Sequence, residues 1–155
     1  MFTATLDTSV LWPSLQRDFL LSLAVESAYR PTWSSVILDE LEFHEEAKLV
    51  KRGMPVTEAA GRAATLIAAM RRESADAEVE GWEPLEGTFG LPDSDDEHVV
   101  AAAVIAGAGV IVTENLKTSL HLAFELTRRR GLIPEDPVFP GFHERFGSKR
   151  LPATF

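Results

Sequence analysis

The 155-residue chain contains no cysteine. Disulfides, thiolate metal sites and cysteine nucleophiles are thereby excluded, and a reducing compartment fits. No apolar run approaches the roughly 20 residues that a membrane-spanning helix needs. Met1 to Asp7 lacks the basic start and long apolar stretch of a signal peptide. The expectation is a cytoplasmic protein with no membrane segment. There is no G-x-S-x-G elbow, no P-loop and no G-x-G-x-x-G. Gly107 to Thr113 (GAGVIVT) precedes a strand pattern instead of following one, so it is no dinucleotide loop. His44, His98, His121 and His143 show no paired ligand spacing, and His44-Glu45-Glu46 lacks the second histidine of a zinc-protease helix. All four histidines read as non-catalytic, and only His98 stands close to a group of acids.

What is present suits one ordinary domain, expected to span residues 1–155. Apolar residues make up 45% of the chain, and a domain of this size buries about 70% of its unfolded surface without staples. The net charge of −9 is unevenly spread. Residues 1–114 carry 8 basic and 20 acidic residues, a balance of −12, whereas residues 115–155 carry 7 and 4, a balance of +3. An acidic first part with a basic last part suits a metal-dependent enzyme acting on a polyanion. It suits a merely soluble acidic protein equally well.

Strand and helix patterns alternate. Phe2–Asp7 reads as a strand ending on an acid. Pro13–Tyr29 reads as a helix with Leu15, Phe19, Leu23 and Ala24 at helical spacing. Arg30–Trp33 is a second extended stretch. Ser34 and Ser35 are N-cap candidates for a helix running to Arg52 and stopping at Gly53. Thr57 opens a third helix with an apolar stripe of Val56, Ala59, Ala60, Ala63, Ile67 and Met70. Ser74–Leu91 is polar and irregular, with a candidate strand at Glu78–Trp82. Val99–Gly107 is an alanine-rich buried helix, Val110–Thr113 a short fully apolar strand, and Leu120–Arg130 a last helix. Residues 131–155, with four prolines, read as a wrapping C-terminal arm. The alternation argues for an α/β fold with a mostly parallel sheet covered on both faces.

In such a sheet, ligands bind beyond the carboxyl ends of the strands. Asp7 and the run Thr113–Thr118 stand there, although an aspartate after a strand is also a common turn or cap residue. Asp93, Asp95 and Asp96 precede the alanine helix. Acids cap helix starts, but one cap needs no trio, and three neighbouring carboxylates repel unless a cation shares the site. Glu40 is indistinguishable from Glu42, Glu45 and Glu46, which look like a solvated face.

Three segments together resemble the PIN-domain family, and within it the VapC toxins. LDTSVLWPS resembles the family's opening strand with its first acid, Asp7. SSVILDEL resembles the segment of the second acid, Glu40. LPDSDDEHVVAAAVIAGAGVIVTENLK resembles the D-x-D-D-x-H-V stretch, the alanine helix and the V-T-x-N-L-K strand end. The resemblance covers Met1 to about Gly131. It implies a PIN-like three-layer sandwich and a ribonuclease that uses Mg2+ (or Mn2+) and leaves a 5′-phosphate and a 3′-hydroxyl. Asp7, Glu40 and Asp96 would hold the metal, with Asp93 as a further metal residue and Asp95 beside it as an accessory acid, and Thr113 and Asn115 would shape the rim facing RNA. Lys117, Arg128 and Arg129, with Arg130, Lys149 and Arg150, are candidate phosphate contacts, or else a solvated basic face. The resemblance also implies a homodimer and a cognate antitoxin. Trp12, Leu15, Trp33 and Phe43 can supply partner surface, although core packing is what their residue types favour.

The family often carries a fourth acid after N-L-K, where Thr118 and Ser119 stand here. Loss of an anionic ligand weakens a metal site, so the alternative is a degenerate PIN module that binds RNA or a partner without cutting. A haloacid-dehalogenase-like phosphatase wants Asp-x-Asp after the first strand, but Ser9 occupies the second place. A receiver domain wants paired acids there, and that pair is missing.

Overall fold

A computed structural model describes residues 1–115. Three parallel strands form a sheet in the order β2-β1-β3: β1 (Thr3–Leu6), β2 (Arg30–Thr32) and β3 (Val110–Val112). Thr3, Ala4 and Thr5 pair with Arg30, Pro31 and Thr32, and Ala4, Thr5 and Leu6 pair with Val110, Ile111 and Val112. The amide of Asp7 donates to Val112 O at 3.0 Å and carries the ladder one residue past β1. The central strand therefore delivers Asp7 to the carboxyl edge of the sheet.

Five helices complete the described part: α1 (Thr8–Leu11), α2 (Ser14–Val25), α3 (Ser35–Lys51), α4 (Val56–Glu73) and α5 (Glu97–Ile105). The fold is an α/β sandwich with a parallel sheet, as the alternation of patterns predicts. Ser34 caps α3 by accepting from Ile37 N, and Gly53 follows the helix at φ 92°, a left-handed conformation that glycine adopts without strain. One apolar cluster joins Leu6, Leu11, Trp33, Ile37, Leu38 and Leu41, with Ile67 and Met70 of α4. A second packs Trp82, Phe89 and Leu91 around Val100, Ala101 and Ala102 of α5.

Several expectations are corrected. The four-residue α1, too short for a periodic signal, was not foreseen; Val10 and Leu11 bury against the core. α2 is shorter than Pro13–Tyr29, because Ser27 adopts φ 60° just beyond it. Leu15 and Phe19 are exposed, at 86% and 62%. The helix turns Leu20, Leu21, Leu23 and Ala24 inward instead, with Arg17 buried beside them. On α4, Ala59, Ala63, Ile67 and Met70 are buried as expected, but Val56, in its first turn beyond the packed face, is exposed. Glu78–Trp82 forms no strand: one parallel bridge links Trp33 to Glu78, and a 3₁₀ turn then spans Glu83–Leu85. Glu45 is not solvated, since it is buried beside Arg17 and Lys48. Trp33 is fully buried, whereas Trp12 and Phe43 stay exposed with Leu15, so core packing holds only for Trp33. The last helix, the C-terminal arm and Lys117, Thr118, Arg128 and Arg129 lie outside the described residues.

Candidate active site

Three acids from three segments line one cleft of about 400 Å³ at the carboxyl edge of the sheet: Asp7 after β1, Glu40 in α3 and Asp96 at the start of α5. Thr8, Ser9, Trp12, His44 and Asn115 complete its wall. No lysine or arginine among the described residues contributes to it.

Asp7 holds the N-cap position of α1, yet its carboxylate makes no capping bond. Its Oδ2 accepts instead from Ser9 Oγ at 2.7 Å and from Thr113 Oγ1 at 2.6 Å. Both hydroxyls are fixed in turn, since Ser9 Oγ accepts from Glu114 N at 3.0 Å and Thr113 Oγ1 from Asn115 N at 2.9 Å. The chain after β3 thus clamps the acid after β1. One of these hydroxyls is local and the other lies 106 residues away, so the carboxylate is held in direction by the strand end opposite it as well as by its own turn.

Glu40 Oε2 accepts from Thr8 Oγ1 at 2.5 Å, and Glu40 Oε1 stands 3.6 Å from His98 Nε2. His98 is buried; its Nδ1 shares a 2.9 Å hydrogen bond with Ser34 Oγ, and its ring lies 6.1 Å from that of Trp82. Burial is the largest influence on the Glu40 carboxyl and pushes its pKa up. The hydrogen bonds from His98 and Thr8, with the charges of His98 and His44, together outweigh it and hold the group below its ordinary value. Glu40 is therefore anionic at neutral pH.

The acidic run before α5 divides its work. Asp93 Oδ1 accepts from Asp95 N at 3.0 Å and caps the 3₁₀ turn Ser94–Asp96. Neither Asp93 nor Asp95 lines the cleft. Asp96 does, with Oδ2 accepting from Asn115 Nδ2 at 3.0 Å. Glu97 is buried and holds the preceding loop, accepting from Phe89 N at 3.4 Å and Leu91 N at 3.2 Å. The structure brings Asp7, Glu40, Asp96 and Asn115 to one cleft, sets Thr113 behind Asp7, and leaves Asp93 outside as a cap. Thr8, Ser9 and His98, the groups that orient the acids, were not singled out as such. Thr8 and Ser9 did stand in the quoted opening motif, and His98 lies two residues past Asp96.

Among the described residues, no three histidine, aspartate or glutamate side chains stand close enough to form a ready-made coordination cluster. The donor chemistry nevertheless fits a hard divalent ion. Carboxylate oxygens line an open cleft, and Mg2+ takes one or two carboxylates and retains water instead of filling an all-protein cage. No helix among the described residues is long and apolar enough to cross a membrane.

No curated protein and no solved structure matches the chain. Residues 3–117 match the family model described as PIN domain. Members of that family are typically nucleases that use divalent metals. With the parallel sheet and the acids at its carboxyl edge, the chain belongs to the PIN-domain family.

Proposed function

We propose that the protein is a metal-dependent endoribonuclease, the VapC-type toxin of a type II toxin–antitoxin pair, acting in the cytoplasm as one PIN-like domain with residues 131–155 as a wrapping arm. The observation that carries the nuclease reading is the cleft at the carboxyl edge of the sheet that gathers Asp7, Glu40 and Asp96 from three separate segments. Such a cleft holds negative charge that a cation would offset. Mg2+ (or Mn2+) bound there supplies charge neutralisation at the attacked phosphate and makes water a stronger nucleophile. The chain's own residues set the geometry. Ser9 and Thr113 fix Asp7, Thr8 and His98 fix Glu40, and Asn115 fixes Asp96. Asn115 also stands on the rim, where RNA would pass. Lys117, Arg128 and Arg129 are proposed phosphate contacts. A homodimer and a cognate antitoxin whose peptide lies across the acidic cleft belong to the same proposal, and exposed Leu15 and Phe43 supply apolar partner surface.

Thr118, standing where an acid is frequent in the family, favours a second reading: a PIN module that binds RNA or a partner without cutting. Manganese titration calorimetry on wild type and Asp96→Asn, with an RNA cleavage assay beside it, separates the two. The nuclease reading expects binding and cleavage in wild type and loss of both in the variant. A wild type that neither binds manganese nor cuts RNA selects the degenerate module.

A further inference from the structure

Basic side chains are scarce in the described part, and most are already engaged. Of the eight in residues 1–114, Arg17 and Lys48 pair with Glu45, Arg62 with Glu58, Arg71 with Glu78 and Arg72 with Glu73. Arg30 donates to the carbonyl of Asp76 at 3.4 Å. Lys51 and Arg52 remain, adjacent and exposed at the end of α3, with no ion pair among the described residues. Cations in a last helical turn are favoured by the helix dipole, which accounts for their presence there. It does not account for what lies beside them.

Lys51 and Arg52 line a groove of about 510 Å³ together with Trp12, His44, Ala47 and Lys48. Trp12 and His44 are also part of the wall of the acidic cleft, so the two depressions share a border. Trp12 is 42% exposed, a large surface for an indole in an acidic protein. Its position is fixed: Nε1 donates to His44 O at 3.3 Å, and the two rings meet edge-on with centroids 6.3 Å apart. Along α3, Glu40, His44, Lys48 and Lys51 recur at spacings of four, four and three residues and so share one face. At about 1.5 Å of rise per residue, that face runs roughly 16 Å from the acid to the lysine. One end of the stripe is anionic, the middle aromatic, and the far end cationic, with neither Lys51 nor Arg52 in an ion pair among the described residues.

We infer that this groove is a subsite for single-stranded RNA, in which an unpaired base stacks on Trp12 and the flanking phosphates contact Lys51 and Arg52. The inference rests on the nuclease reading and adds the surface outside the acidic cleft that holds the strand. An acidic cleft repels a polyanion, so a strand whose scissile phosphate enters it gains from cations nearby. An exposed, fixed indole next to those cations is the combination by which proteins hold unpaired nucleotides, because every base presents a stacking face. A duplex hides those faces and gains only the charge contacts.

The test uses the full chain carrying Asp96→Asn, so that RNA is bound without being cut. The probe is a short fluorescent single-stranded RNA, with a duplex of the same sequence for comparison. Lys51→Ala combined with Arg52→Ala is expected to weaken single-strand binding about tenfold. It should also flatten the dependence of log affinity on log salt by about 1.4, since each contacted phosphate of a single strand contributes about 0.7. Trp12→Ala is expected to weaken single-strand binding about tenfold while leaving the duplex unchanged, and Trp12→Phe, which keeps a ring, to restore most of it. Both sets alter exposed positions, and circular dichroism checks the fold. If single-strand affinity and salt slope match the parent in every variant, while Asp96→Asn alone abolishes cleavage, the groove assignment fails and the nuclease reading stands. If the wild type neither binds nor cuts RNA, both fall. An acidic peptide displaced by the groove substitutions, with RNA binding unaffected, would assign the groove to a protein partner and overturn the inference.

Discussion

Two sets of partly or fully buried carboxylates in this molecule are held in opposite ways. Glu45 lies between α2 and α3, where Arg17 approaches its Oε2 to 3.6 Å and Lys48 pairs with the same oxygen. Arg17 also donates to Leu11 O at 3.3 Å, and Lys48 to Ser14 Oγ at 3.0 Å. With Asp18 Oδ1 3.6 Å from Arg17 Nε, the two cations of that cluster face two carboxylates of the protein itself. In the cleft, Asp7 is held by two hydroxyls and Asp96 by an amide, and Glu40 by one hydroxyl and a histidine. These donors, the histidine aside, are neutral and fix direction without cancelling charge. Among the described residues, Asp7 and Glu40 thus meet hydroxyls and a histidine in the cleft where Glu45 meets an arginine and a lysine.

The contrast breaks if the two sets respond alike to neutralisation. Asp7→Asn is expected to reduce RNA cleavage by at least about a thousandfold, on the scale of losing a key charge-stabilising group. Its urea midpoint should equal or exceed that of wild type, because one of several mutually repelling charges is gone. Glu45→Ala should do the reverse. It leaves the buried Arg17 guanidinium with only the exposed Asp18 carboxylate, 3.6 Å away, which costs up to about 3 kcal/mol of folding stability, while cleavage below the melting range stays near wild type. Cleavage that survives Asp7→Asn would remove Asp7 from the site.

Smaller effects sharpen the comparison by testing the neutral donors. Thr113→Val removes the hydroxyl that donates to Asp7 at 2.6 Å and keeps the shape. Groups that orient metal ligands are typically worth 10–100-fold in affinity or activity. We expect a loss of about that size in manganese affinity by calorimetry, with thermal stability almost unchanged. An equal loss of stability and no change in manganese affinity would make Thr113 a packing residue only.

How much of this was legible in the sequence differs between the strand ends and the helices. The place of Asp7 at the carboxyl edge was readable from its position after the first strand pattern and from the LDTSVLWPS resemblance, and those of Thr113 and Asn115 from the V-T-x-N-L-K resemblance. The four-residue α1 was not, since one turn carries no period, yet it supplies Thr8 and closes one side of the cleft. α3 shows the limit most clearly. Glu40 and Glu45 look equivalent in the string, and only the fold turns Glu40 toward Thr8 and His98 and Glu45 toward Arg17. The stripe Leu15–Phe19 is as apolar as Leu20–Leu21–Leu23–Ala24, and periodicity does not say which faces the core. In the run from Asp93 to Glu97, composition revealed a surplus of acid but not its division into a cap, a cleft residue and a loop anchor.

The smallest effect concerns acid. The Glu40 carboxyl is depressed because the contacts of His98 and Thr8 and the charges of His98 and His44 outweigh its burial. A group whose folded pKa lies below its unfolded value contributes stability that is present above the unfolded value and lost as pH falls through the folded one. The Glu40 contribution is therefore complete above its ordinary value of 4.5 and fades below it. Because Glu40 keeps 39% of its side-chain exposure, solvent screens the contacts and the contribution is modest. Urea midpoints of wild type and Glu40→Gln should differ by a small constant amount from pH 7 down to about 5 and converge as the pH is lowered further. A gap that stays constant into the acid range would mean that Glu40 is held by its shape and not by its charge. The His98 and Thr8 contacts would then orient a side chain without keeping it ionised.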